Sequence, residues 1–334
     1  MNVDKTANYQ QDSNDQRLPF VEKYRPNDLQ SIISHDEIIK TIQKFISTKT
    51  MPHLLFHGPP GTGKTSCIIA IAKHLYGPQQ YKNMILELNA SDDRGIQVVR
   101  EQIKSFCSTQ QLMSKGIKLV ILDECDSMTS SAQFALRRIV EKFTKTTRFC
   151  FICNYVSKII PALQSRCTRF RFGPLDSTHI LRRLNEIAML EQLELEPKAA
   201  QAIVYLSAGD MRKVLNILES CALAHQKITT QNVYDVTGRP SPDDITSIYK
   251  SLNEDRLNKA IETIYQIKQN KSLALEDILS DLHKAVMKTK YTDQMKIFLI
   301  SRMADIEYRL AYGSNEKINT SSLVGAFVEI RSIK

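Results

Sequence analysis

Eight consecutive residues, Gly58-Pro59-Pro60-Gly61-Thr62-Gly63-Lys64-Thr65, constrain this chain more than any other stretch. They match the spacing G-x-x-x-x-G-K-[ST] in full. A short apolar run, His53 to Phe56, precedes them, and a helix-patterned segment from Ser66 to Leu75, stopped at Gly77, follows. Strand, glycine loop and helix in that order build a cradle whose backbone N–H groups converge on phosphate oxygens. In such a cradle Lys64 reaches the β- and γ-phosphates and Thr65 ligates Mg²⁺, while the helix starting at Ser66 adds its dipole.

The flanking pattern sets the fold around this loop. Met84 to Leu88 alternates, Ile117 to Leu122 is almost continuously apolar, Phe149 to Cys153 is a further apolar run, and Thr168 to Phe172 alternates again. Short buried strands separated by helices predict a mostly parallel sheet covered on both faces. One helix shows its period plainly: Ala132, Ala135, Leu136, Ile139, Val140 and Phe143 share a face, and Ser130 with Gln133 fits a capping box. After Gly173-Pro174 the strand signals fade. Residues 175–237 read as a small helical unit, closed by the turn-rich stretch from Thr237 to Pro242. Two further stripes, Leu275-Ile278-Leu279-Leu282-Val286 and Leu299-Met303-Ile306-Leu310, predict an all-helical domain over 238–334. Residues 1–17 hold too few apolar side chains to offset ordering entropy and are expected to form a disordered arm, so the α/β domain spans 18–174.

Composition narrows the function classes. With 334 residues, 42% hydrophobic and 24% charged, the chain is globular and long enough for more than one core. Its net charge of +9 suits a polyanionic partner better than a basic one. No apolar run approaches the ~20 residues of a membrane helix, and the polar N-terminal stretch lacks a signal-like apolar segment. Neither membrane insertion nor export is expected. Of seven cysteines, Cys67, Cys125 and Cys221 lie in apolar patterns, and the pair Cys150 and Cys153 has no second pair or histidine cluster at zinc spacing. They read as structural thiols in a reducing compartment.

Asp123-Glu124 closes the apolar strand. In that place an aspartate holds a metal and a glutamate activates water. Alone such a pair is a solvated loop end; with the phosphate loop upstream it becomes a nucleotide-hydrolysis site. Asn154 ends the next strand, at the sheet edge where parallel α/β folds bind ligands. It reads either as a group that orients the attacking water or as a turn-forming asparagine.

Six segments occur in one order: Val21-Glu22-Lys23-Tyr24-Arg25-Pro26, the phosphate loop, Glu87 to Gly95, the acidic box Asp123-Glu124-Cys125-Asp126, Ser165-Arg166-Cys167, and Gly209-Asp210-Met211-Arg212. With these, and with the stretch from Asn154 to Pro174, the chain resembles the small subunits of replication factor C, the clamp-loading AAA+ ATPase, from about residue 18 to its C-terminus. Cys125 stands where many relatives have alanine, which leaves both carboxylates of the box intact. The resemblance implies an α/β AAA+ core, a helical lid and a helical collar, assembled as a hetero-pentamer with ATP and Mg²⁺ at sites shared between neighbouring subunits. It implies that Val21 and Ile33 line the adenine pocket and that Asn154 is a first sensor of the nucleotide. It makes Arg212 a second sensor, reaching this chain's own γ-phosphate from the lid, and Arg166 an arginine finger on the adjacent subunit's ATP. Without the resemblance, Arg166 is equally a surface arginine and Arg212 a solvated residue of a first helical turn.

The same resemblance implies that the complex opens a sliding clamp, proliferating cell nuclear antigen, and loads it onto primer–template DNA in the nucleus, in replication and repair. Arg94, Arg100, Lys104 and Lys158 are the candidate DNA contacts, following a phosphate backbone without reading bases; the alternative is a solvated basic face. Leu112 and Met113 interrupt the polar stretch Ser108 to Gly116, which enters its strand opposite the nucleotide edge. They either plug a hydrophobic groove on the clamp or fold back on the domain's own core. Two other functions compete: a nucleotide-binding scaffold subunit with little hydrolysis, and a different AAA+ motor such as a branch-migration helicase. Intact Lys64, Asp123, Glu124 and Asn154 argue against the first. The Ser-Arg-Cys element and the lack of an added winged domain argue against the second.

Overall fold

Burial on both faces of a sheet explains the apolar runs. The computed structural model describes residues 18–332 except 27, 29, 30, 33, 49, 92–95 and 110–115; the arm expected over 1–17, Ile33, Arg94, Leu112 and Met113 lie outside the described residues. Two compact units divide the chain, one up to Glu219 and one from Ser220.

In the first unit, α1 (Phe20–Lys23) and α2 (Asp36–Ser47) lead to β1 (His53–His57). Then follow α3 (Lys64–Met84), β2 (Ile85–Asn89), α4 (Ile96–Ser108), β3 (Lys118–Asp123), α5 (Ser130–Phe143), β4 (Thr147–Cys153), α6 (Pro161–Gln164) and β5 (Cys167–Arg171). The segment expected as a helical lid over 175–237 opens with α7 (Ser177–Leu190), α8 (Pro197–Ser207) and α9 (Met211–Ala224), the last of which contains the division between units. The strands pair in the order β2-β3-β4-β1-β5, every pair parallel, with Leu54 opposite Cys150 and Asn89 opposite Asp123. Along each central strand the side chains alternate between two cores. Leu54, Phe56, Leu119, Ile121 and Ile152 pack with Ile68 and Ile71 of α3 and with Ile42 of α2. Leu55, Val120, Leu122, Phe149 and Phe151 pack on the other face with Ile103 of α4 and with Leu136 and Ile139 of α5. Two helical layers therefore leave no polar face to the strands, hence their near-continuous apolarity.

Gly77 (φ 63°, ψ 173°) interrupts the helical backbone of α3, as expected, and a second helical segment runs on to Met84. One local expectation is corrected. The capping box at Ser130 does not form. Thr129 is the cap, its side chain accepting from the Ala132 N–H. Gln133 is 1% exposed and turns inward, where its amide nitrogen donates to the carbonyls of Met128 and Lys158 and its oxygen accepts from the Ile160 N–H at 2.8 Å. It thereby ties α5 to the loop that follows β4. Gln133→Leu should cost about 1–3 kcal/mol, since it strands buried backbone groups of that loop. A denaturation midpoint unchanged from wild type would show that the tie is idle.

The second unit is helical. It holds α10 (Thr230–Thr237), α11 (Pro242–Glu254), α12 (Leu257–Lys271), α13 (Leu275–Lys288), α14 (Asp293–Ala311) and α15 (Glu316–Ser332). Gly238 ends α10 in the left-handed region, and Ser241 with Asp244 forms a full capping box at α11, with Pro242 in its first turn. Both predicted stripes are buried, on α13 and α14, in one core with Ile248, Leu252, Ile264 and Phe327.

All seven cysteines are free thiols, six of them buried. Burial pushes Cys67 and Cys153 up to about 12, which leaves them unreactive near neutral pH. Among the described residues, no helix is long and apolar enough to cross a membrane, and no group of three His, Cys, Asp or Glu side chains is placed to hold a metal ion.

Candidate nucleotide site

The phosphate loop follows β1 and is pressed between two neighbouring segments. A Cβ on Gly58 (φ 144°) would lie 2.0 Å from the carbonyl oxygen of Phe172, just past β5. A Cβ on Gly61 (φ 68°) would lie 1.6 Å from Oδ1 of Asp210. Only glycine fits either place. Asp210 in turn opens α9: its Oδ1 accepts the Arg212 N–H at 2.8 Å and the Lys213 N–H at 3.3 Å, and the Met211 N–H donates to the Gly61 carbonyl. The lid helix thus begins against the loop, with Arg212 at its first turn.

Parallel strands bring the chemistry together. Lys64, 7% exposed, donates from Nζ to the carbonyls of Gly58 and Pro59, both at 2.8 Å, and to Oδ1 of Asn154 at 3.0 Å. Burial pushes its ammonium below the usual lysine range, against the opposing pull of Asp123. The Thr65 hydroxyl donates to Oδ2 of Asp123 at 2.6 Å, and the Glu124 N–H donates to Oδ1 of the same carboxylate at 2.9 Å. Glu124 is exposed and left-handed (φ 53°), which turns it out of β3 at the mouth of the cleft. Asp126, the last residue of the acidic box, accepts the backbone N–H groups of Asn154 and Tyr155, each at 3.2 Å. The acidic box therefore positions the asparagine at the end of β4.

A solvent-open cleft joins these groups. Pro60 to Ser66, Asp123, Glu124, Asn154, Arg212 and Val21 all line it. Gly58 and Pro59 do not; their part is the two carbonyls that hold Lys64. The sequence-predicted site residues leave out part of the lining, including Tyr24, Ile32, Arg183 and Leu215. Tyr24 and Ile32 border residues already singled out. Arg183 carried a weaker signal, a basic residue off the apolar stripe Ile180-Leu184-Ile187 of α7.

The remaining candidates lie elsewhere. Arg166 is not in this chain's cleft; its guanidinium pairs with Glu141 of α5 and donates to the Ala162 carbonyl. Lys104 on α4 and Lys158 are exposed, with the Lys158 ammonium 5.3 Å above the centre of the Tyr155 ring. Arg100 is half-buried.

The donor set fits a nucleoside triphosphate with Mg²⁺. The loop offers a lysine and closely packed backbone, and a hydroxyl with a carboxylate makes the oxygen-only pair a hard divalent cation takes. Residues 54–175 match the family model for ATPases associated with various cellular activities (AAA). Residues 177–235 match the RFC1-like AAA+ ATPase lid domain, and 240–326 match the replication factor C C-terminal domain. Human replication factor C subunit 5 is 52% identical over 95% of this chain and 93% of its own length. Replication factor C subunit 3 of Schizosaccharomyces pombe is 50% identical (92% and 90%), and subunit 3 of Saccharomyces cerevisiae 47% (93% and 93%). The RuvB Holliday junction branch migration motor of Thermotoga maritima superposes with a TM-score of 0.52 over 77% of this chain and 91% of its own, at 16% identity, a likeness of fold alone. Phosphate loop, lid and C-terminal helices all match one family along nearly the whole length, so the chain belongs to the replication factor C small subunits of the AAA+ ATPases.

Proposed function

We propose that the chain is an ATP-hydrolysing clamp-loader subunit, working in a nuclear hetero-pentamer that opens a sliding clamp and places it on primer–template DNA. One observation carries the hydrolytic part: Lys64, Asp123, Glu124 and Asn154 meet at the ends of three adjacent strands, in a chain whose relatives are replication factor C subunits. Lys64 exchanges its loop carbonyls for phosphate oxygens. Thr65 and Asp123 would hold Mg²⁺, which when bound would supply positive charge against the phosphates. Glu124 takes a proton from the attacking water, and Asn154, held by Asp126, orients that water. Arg212 adds positive charge from the chain's own lid. ATPase rates of the isolated chain and of the reconstituted pentamer test the reading; no hydrolysis at this site in either would overturn it.

Arg166 serves the neighbouring site. An arginine delivered across an interface neutralises the separating phosphoryl oxygens and is worth ~10³-fold or more in related systems. Arg166→Ala is therefore expected to leave this chain's nucleotide affinity unchanged and to slow hydrolysis at the adjacent subunit. Collapse of ATP binding in the isolated variant would contradict action in trans.

DNA contact falls to Arg94, Arg100, Lys104 and Lys158, through phosphates alone. Replacing Lys104 and Lys158 with alanine should lower the salt dependence of DNA binding by ~0.9 for each phosphate no longer neutralised, equally for all sequences. An unchanged slope would return both lysines to a solvated face. Clamp contact falls to Leu112 and Met113.

A further inference from the structure

Four residues are too few to hold a helix by its own hydrogen bonds. Yet α1 supplies Val21 and Glu22 to the cleft, and Tyr24 follows directly. The lid is what holds it. Lys23 Nζ lies 2.6 Å from Oε1 of Glu191, and the Tyr24 hydroxyl donates to the same oxygen. The Lys23 and Glu191 side chains are only 16% and 19% exposed. Oε2 of Glu219, on α9, accepts the Phe20 N–H at 3.2 Å. Burial, with the Glu191 carboxylate beside it, pushes the Tyr24 phenol well above its ordinary range, so the hydroxyl stays a donor.

Glu191 follows α7 directly, and its N–H closes on the Ile187 carbonyl at 3.0 Å. It therefore moves with Arg183, which lines the same cleft from the same helix. Phosphates belong at the Lys64 end. Val21, Tyr24, Ile32 and Leu215 supply apolar and aromatic surface to the same cleft, the kind of lining suited to a base.

We propose that Glu191 is a positioning residue that latches the base-side wall of the cleft to the lid, so that this wall closes on the nucleotide base only when the lid is in place. The latch rests on the nucleotide reading above and names the element that couples base recognition to lid position. Removing one carboxylate breaks an ion pair and a hydrogen bond together, and leaves Lys23 without its counter-charge in a largely enclosed place.

The test is competition binding of ATP and of inorganic triphosphate to the full chain, wild type against Glu191→Ala, Glu191→Gln and Lys23→Met. Glu191→Ala should weaken ATP binding by about tenfold, with triphosphate affinity changed by less than about twofold. Glu191→Gln, which keeps an acceptor for Tyr24, should lose only about threefold, and it carries the test should the alanine variant fail to fold. Adding Lys23→Met to Glu191→Ala should cost nothing more, since both act through one contact. ATP and triphosphate weakening in parallel would make Glu191 a plain stabiliser of the fold and overturn the latch, as would unchanged ATP affinity in every variant. A wild-type chain that binds neither ligand would overturn the nucleotide reading and the latch with it.

Discussion

Glu124→Gln is expected to leave ATP binding intact while lowering hydrolysis at this chain's site by at least ~10²-fold. The glutamine keeps the size of the side chain and the left-handed backbone, and it leaves Asp123, Thr65 and Lys64 with their present partners. What it loses is the ability to accept a proton from water. Binding and turnover should therefore separate cleanly. The measurement is single-site turnover in a reconstituted pentamer whose other sites are silenced, together with nucleotide binding by the isolated chain. Near-normal turnover would mean that the proton leaves by another route and would sink the assignment of Glu124.

Lys64→Ala should act one step earlier, on binding itself. The ammonium is held at the floor of the cleft by the Gly58 and Pro59 carbonyls and by Asn154. Its loss removes the one lysine able to reach phosphate oxygens from within the loop, and leaves those acceptors facing an incoming anion. Charge-assisted hydrogen bonds are worth about 1.5–3 kcal/mol each, so two to the phosphates make the expected loss of ATP affinity about a hundredfold or more. Titration of the isolated variant with a fluorescent ATP analogue measures it. An affinity within threefold of wild type would show that the loop's backbone alone carries the phosphates.

The contrast between these two residues and Glu191 shows what could be read in advance. The central strands were legible because both their faces are buried, which makes Leu119 to Leu122 and Phe149 to Cys153 apolar without interruption. Lys64, Thr65, Asp123 and Asn154 were legible because each stands at a strand end or a loop whose spacing is local. The partners that set their geometry were not. Asp126 meets Asn154 across 28 residues of sequence, and Glu191 meets Lys23 across 168. Neither pairing leaves a periodic trace, since it depends on which strands become neighbours and on where a helix ends. Gln133 misled for a related reason. It stands three residues after Ser130, as a capping glutamine would, but the Ile160 N–H and two carbonyls offer it more from the buried side. Thr129, one residue earlier, was free to cap instead.

The left-handed backbone at Glu124 has a consequence for how this site tolerates change. A side chain there carries a conformational cost of ~1 kcal/mol that glycine would avoid. On the catalytic role proposed for Glu124, a more robust fold and turnover thus pull this position in opposite directions. The glycine that would best relax the turn would also remove the proposed proton acceptor.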